Sequence, residues 1–202
     1  MSRAMQPTAL NDRASYLSGL ATRRSGKPRD LVAPGPSPDE LRAMLTVAAR
    51  TPDHGKLTPW RFVTVAPDRR DALAELFLDA RRADPTPVKP GDLEGLDQFA
   101  RFAPTLVVVL SAPSNERPIP LWEQEMSAGA AVMNLLHAAH AHGYAGGWLT
   151  GWATTSATVR DAFRTEGGRE GERVVGFVFI GTPARPLEER PRPDLDRVVS
   201  EW

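Results

Sequence analysis

Cysteine is absent from this 202-residue chain. With it go disulfides, thiolate zinc sites, cysteine-ligated iron–sulfur clusters and a cysteine nucleophile. A net charge of either sign is absent too: 25 Lys plus Arg balance 25 Asp plus Glu. No overall field therefore draws the chain to nucleic acid or to an anionic membrane, and any anion site must come from a local cluster. No apolar run approaches the roughly 20 residues that a membrane span needs. The segment Met1 to Arg13 is polar and has no apolar signal core. H-E-x-x-H, G-x-S-x-G and P-loop lysine motifs are missing, so zinc hydrolysis, serine hydrolysis and phosphoryl transfer lack their usual residues. His137, His140 and His142 include no i, i+4 pair and read as surface histidines near a helix end, not metal ligands. What remains is ordinary globular composition, 41% hydrophobic and 25% charged, so the expectation is one soluble, cytoplasmic domain.

Along the chain, residues 1–12 read as a flexible leader and 13–202 as a single domain with a Pro-rich C-terminal extension. A first helix begins near Asp12 or Arg13, with Tyr16, Leu17 and Leu20 expected to face inward. The best-marked helix follows Ser37, an N-cap with Pro38 at the first helical position and Glu40 completing a capping box. Its apolar stripe is Leu41, Met44, Leu45 and Ala48, and Pro52 limits it. Residues 62–66 read as a strand, and a further helix turns Leu73, Leu76, Phe77 and Ala80 to one side. Residues 84–97, rich in Pro, Asp and Gly, read as a mobile loop or lid. Leu106 to Leu110 is apolar throughout, as a strand covered on both faces would be. The longest helix, from about Pro120 to His142, is apolar nearly all round, which demands burial and in so small a chain points to a second subunit. A short helix near 159–164 and a strand at 174–180 complete the elements. Helices interleave with distant strands, so the fold expected is α+β, a mixed sheet flanked by helices.

Three clusters carry candidate chemistry. Arg23 and Arg24 present guanidinium forks beside the Ser25 hydroxyl, a donor set matched to phosphate oxygens. They read equally as cations complementing a helix end. Arg50 and His54 flank Pro52 in the rigid stretch Thr51-Pro52-Asp53-His54, where they either meet a heterocycle's carbonyl edge or, for His54, bond Asp53 or backbone. Gly143-Tyr144-Ala145-Gly146-Gly147 lacks dinucleotide spacing but lets backbone approach a flat ligand along Trp148, Leu149 and Thr150. The alternative for it is a plain helix-to-strand connection. Taken together, the cationic pair and the proline-bracketed loop point to a phosphorylated ligand.

These residues also resemble a known family. Arg23-Arg24-Ser25, Ala49-Arg50-Thr51-Pro52-Asp53-His54, Pro59-Trp60-Arg61-Phe62, the run Trp122 to Gly129, and Gly176-Phe177 through Gly181-Thr182-Pro183 look like the nitroreductase family, its small branch. The match covers about residues 14–183. The resemblance implies a single FMN-binding domain, an intertwined homodimer with flavin at the interface, and NADH or NADPH as co-substrate. It implies hydride transfer from nicotinamide to flavin N5 and on to a nitroaromatic, quinone or similar acceptor. Enoate reduction, dehalogenation, flavin degradation or a non-enzymatic flavin-binding dimer are the alternatives. Carried over, Arg23, Arg24 and Ser25 hold the FMN phosphate and ribityl end, and Arg50 and His54 come from the other subunit. Trp148, Leu149 and Thr150 lie by the ring, and Arg190 or Arg192 adds a basic contact to the phosphate. No metal and no side chain in a covalent catalytic role is implied.

Overall fold

A computed structural model describes residues 9–164 and 168–202. The strands are β1 (Leu31–Val32), β2 (Trp60–Val65), β3 (Thr105–Ser111), β4 (Ala145–Leu149) and β5 (Arg173–Pro183). The helices are α1 (Tyr16–Thr22), α2 (Pro38–Ala48), α3 (Arg70–Ala83), α4 (Asp92–Arg101), α5 (Leu121–Ala141), α6 (Trp152–Thr155) and α7 (Ala157–Ala162). The α+β class holds. Where a mixed sheet was expected, every pairing among the described strands is antiparallel.

Strand β5 organises the sheet. It pairs with β3 from Thr105↔Ile180 to Ser111↔Arg173, with β4 from Ala145↔Gly181 to Leu149↔Phe177, and with β1 at Leu31↔Pro183. Strand β2 adds outside β3. Because side chains alternate along a strand, the continuous apolar runs split between two covers. Leu106, Val108, Leu110, Phe177 and Phe179 face α3 and α4, packing with Leu73, Phe77 and Ala100. Val107, Val109, Val178 and Ile180 face α2 and α5, meeting Met44, Ala48, Val132, Leu135 and Leu136. The expectation that 106–110 is covered on both faces is met in full.

Local signals account for several helix ends. Ser37 accepts from the Glu40 amide while Glu40 accepts from the Ser37 amide, the reciprocal box expected from sequence. Ser15 and Ser18 form a second box at the start of α1. Three expectations need correction. Residues 84–97 are not one loop, since α4 begins at Asp92. Leu96 and Phe99 recur at helical spacing, and the Phe99 ring lies 5.2 Å from both Phe177 and Phe179. That aromatic packing outweighs the local Pro and Gly content. Tyr16 and Leu17 do not face inward but are 82% and 74% exposed, with Leu20 partly so. His140 is not a surface histidine: it is buried against α1, its Nε2 3.4 Å from the Asp12 carbonyl. Asn11 and Asp12, the end of the leader, are tied to α1 through Thr22, whereas residues 1–8 lie outside the described residues.

Helix α5 is buried where it crosses the sheet but not at its start. Leu121, Trp122 and Met126 are 49%, 60% and 68% exposed. Together with Tyr16 and Leu17 they leave large apolar side chains uncovered by this chain. No described helix is long and apolar enough to cross a membrane.

Candidate functional site

Helix α1 stops at Thr22, and the chain then runs extended through Arg23, Arg24 and Ser25. Two bonds hold that run in place: the Arg24 amide donates to Asn11 Oδ1 at 2.8 Å, and the Gly26 amide donates to the Gly146 carbonyl at 3.1 Å. The second bond stitches the loop to β4. The contact is so close that a Cβ on Gly147 would stand 2.6 Å from the Gly26 carbonyl oxygen and 3.0 Å from Pro28. Only glycine allows this approach without moving backbone.

The result is a cleft of about 490 Å³, within the ordinary range for small-molecule sites. Arg24, Ser25, Lys27 and Arg29 bring polar and cationic groups to it, while Phe102, Trp148, Leu149 and Leu187 bring apolar surface. Trp148 owes its orientation to β5. Its Nε1 donates to the Val175 carbonyl at 3.2 Å, and a Cβ on Gly176 would stand 2.1 Å from the same nitrogen.

Arg23 stands beside this cleft, its Nη1 donating to Ser25 Oγ at 3.3 Å. Burial, then the charges of Arg24 and Arg192, pull the Arg23 pKa below the usual guanidinium value. Burial and the nearby Arg23 and His140 likewise lower that of His137. A cluster that penalises its own positive charge favours an anionic ligand. Arg192, from the tail, belongs to this cluster electrostatically. For Arg190, its amide bond to Glu189 is the contact found among the described residues.

The other expected site residues lie elsewhere in the single chain. Thr150 lines a separate cavity of about 640 Å³ with Phe99, Trp152 and Arg81. Arg50 follows α2 at the surface, and the His54 side chain is exposed, with Nδ1 2.8 Å from Glu123 Oε2. That partner is a carboxylate on the first turn of α5, not Asp53 or backbone as the plain reading had it. His54 is thereby tied to the start of α5, the end of that helix where Leu121, Trp122 and Met126 are uncovered. Its loop is strained: Lys56 and Thr58 have φ of 57° and 47°, a region unfavourable for a β-branched residue. Polar bonds hold it there. The Asp53 carboxylate accepts the Thr58 amide, and Arg169 Nη1 donates to the carbonyls of Leu57 at 2.9 Å and Ala112 at 2.8 Å.

Several site features had no sequence-level signal. Asn11, in the leader by composition, accepts the Arg24 amide. Phe102 and Leu187 come from segments remote in sequence. Glu188 enters the cleft beside Arg24 and Lys27. Among the described residues no group of three or more His, Asp or Glu side chains is placed to hold a metal ion.

Comparison with known proteins bears on the family and the fold. The Nitroreductase family model matches residues 20–182. The chain is 35% identical over 164 residues to the Escherichia coli (strain K12) protein named "Putative NAD(P)H nitroreductase YdjA", covering 81% of this chain and 86% of that one. A Haemophilus influenzae protein named "Putative NAD(P)H nitroreductase" is 34% identical over 179 residues, covering 87% and 92%. In fold, the chain superposes on a nitroreductase-like family protein from Bacillus cereus with a TM-score of 0.76 at 19% identity, covering 98% and 99%. A Desulfovibrio desulfuricans structure described as a nitroreductase in complex with FMN gives a TM-score of 0.69 at 22% identity, covering 92% and 96%.

Proposed function

This chain belongs to the nitroreductase family, and from that premise we propose that it is an FMN-dependent NAD(P)H oxidoreductase. The observation that carries the reading is the stitched loop at Arg24–Gly26, which sets cationic donors at one end of a cleft walled by Trp148 and Leu149. Those residues fit FMN. Arg23, Arg24, Ser25 and Lys27, with Arg192 from the tail, form a donor set suited to a phosphate. The apolar wall suits a flat ring system. When bound, FMN supplies hydride chemistry, at N5, between NADH or NADPH and a nitroaromatic, quinone or similar small acceptor.

The protein's part is binding, orientation and exclusion of water. Arg23 and Arg24 hold the phosphate end. Ser25 Oγ, already accepting from Arg23, has its hydroxyl proton to donate to a ligand oxygen. Gly147 and Trp148 keep backbone close to the ring, and Leu149 shields its edge from solvent.

A homodimer completes the site in this reading. The uncovered side chains of Trp122 and Met126 at the start of α5, and separately those of Tyr16 and Leu17 on α1 near its far end, are apolar surface of the kind that a second copy covers. His54 is bonded to Glu123 on the first turn of α5, and in this reading pairing carries it and Arg50 to the partner's cleft. Met126→Glu places a charge in that surface and is expected to shift the protein to monomer with its helical circular dichroism kept. Light scattering checks this; an unchanged mass for the variant would place the contact elsewhere.

The functional reading is tested by spectrum. Purified protein is expected to be yellow, to carry one FMN per chain, and to bleach when mixed anaerobically with NADH or NADPH. A colourless preparation that takes up no added FMN would refute it. Flavin that binds but never bleaches would leave a binding dimer, not an enzyme.

A further inference from the structure

After β5 the chain turns back over the cationic loop and lays two consecutive carboxylates on it. Arg24 Nε donates to the Glu188 carbonyl at 2.8 Å and lies 3.3 Å from Glu189 Oε1. Lys27 Nζ stands 3.4 Å from Glu188 Oε2, and Arg192 Nη2 donates to Glu189 Oε1 at 2.9 Å. These are the cations that a ligand phosphate would need. Pro186, Pro191 and Pro193 restrict the backbone on either side of the pair, so the approach is built into the strap.

Building on the FMN reading above, we propose that Glu188 and Glu189 are an internal counter-anion pair, competing with a ligand phosphate for Arg24, Lys27 and Arg192. The pair thereby sets how tightly the cleft holds a phosphorylated ligand. The chemistry favours exchange over a permanent lock. The Glu188 and Glu189 side chains are 80% and 51% exposed, so water reaches the carboxylate of each pair even where Arg24 itself is little exposed, and ion pairs wetted in this way are individually weak. A phosphate brings roughly −1.5 to −2 charge and three acceptor oxygens, so it displaces a monovalent carboxylate from a guanidinium fork. The strap then swings off the cleft edge without unfolding β5. Removing the competitor strengthens binding, an outcome that a damaged fold cannot imitate.

The test is fluorescence titration of full-length wild type and the double variant Glu188→Gln/Glu189→Gln, with FMN and separately with riboflavin, which lacks the phosphate. The double variant is expected to bind FMN roughly three- to hundredfold tighter, from three ion pairs at their usual worth. Riboflavin affinity is expected to stay unchanged, and Glu201→Gln, a charge removed further along the tail, is expected to leave both ligands unaffected. If wild type binds FMN and the double variant binds it equally or more weakly, the counter-anion role is wrong while the FMN reading stands. Equal tightening of riboflavin, or tightening by Glu201→Gln, would show a general charge effect and also overturn it. Wild type that binds neither ligand would remove both the role and the reading beneath it.

Discussion

Replacing Arg24 with alanine is expected to weaken FMN binding roughly 10- to 100-fold, the usual worth of a charge-assisted contact to a buried or half-buried anion. Arg24 has little exposed surface, its side chain being 14% accessible, so its charge acts in a less screened setting than a surface arginine. Its bonds run to the Glu188 carbonyl and the Glu189 carboxylate on the tail, and it does not take part in the sheet or its two packed faces. The fold should therefore survive the change. Fluorescence titration reads the affinity, and thermal melting shows whether stability is kept. Arg24→Lys is expected to recover only part of the loss, since an ammonium cannot form the bidentate fork. An unchanged dissociation constant for Arg24→Ala would take Arg24 out of the phosphate site and leave Arg23 and Arg192 to be tested in its place.

The largest effect on stability is expected from Glu172, not from the cleft. Its carboxylate is nearly inaccessible and receives Arg61 in a two-point bond, Nε to Oε1 at 3.1 Å and Nη2 to Oε2 at 2.9 Å. Arg61 also donates to the Phe163 carbonyl at 2.6 Å, and the Arg169 amide donates to Glu172. Glu172→Ala leaves the Arg61 charge without its partner in a mostly buried place. Such losses cost about 3–5 kcal/mol. For a chain of this length that corresponds to roughly 6–20 °C in Tm, measured at one fixed protein concentration. Converting both partners, Arg61→Met with Glu172→Met, is expected to cost less than the two single changes combined, because no charge is then stranded. A fall under 1 kcal/mol for Glu172→Ala would show that water reaches the pair.

Acid should remove the same contribution. Burial works to raise the Glu172 pKa, yet the Arg61 side chain and the Arg169 amide outweigh it, and the net direction is downward. A carboxyl depressed in the folded state stabilises fully above its unfolded value, about 4.3 for glutamate, and that stability is lost as pH falls through the folded value. The Tm difference between wild type and Glu172→Gln should accordingly be constant from pH 7 to about 5 and close at lower pH.

Much of the local architecture was legible in the residues. The Ser37–Glu40 box and the end of α5 at Gly143 depend on interactions within a few residues, which sequence contains in full, and the run 106–110 announces its double cover by being apolar at every position. The expected strand at 174–180 appears as the longer β5. Helix α4 was missed because Pro85, Pro87, Pro90, Gly91 and Gly95 outvote its short Leu96–Phe99 spacing until the Phe177 and Phe179 rings are there to receive it. The apolar spacing of Tyr16, Leu17 and Leu20 reads as a stripe facing its own core. Within this chain they face out, and the same pattern serves a surface between copies equally well.

Sequence by itself determined the α+β class, the Arg23-Arg24-Ser25 run after α1 and the family, since each is written in residue types at short, ordered spacings. Tertiary structure alone decided that Gly26 and Gly147 touch, so that Arg24, Ser25, Trp148 and Leu149 share one cleft while Arg50 and His54 stand outside it, exposed, with His54 on Glu123. It also decided that Glu188 meets Lys27, that Glu189 meets Arg24 and that Glu172 meets Arg61. Those contacts join residues more than 100 positions apart, and their energy exists only once β5 has brought the distant segments together.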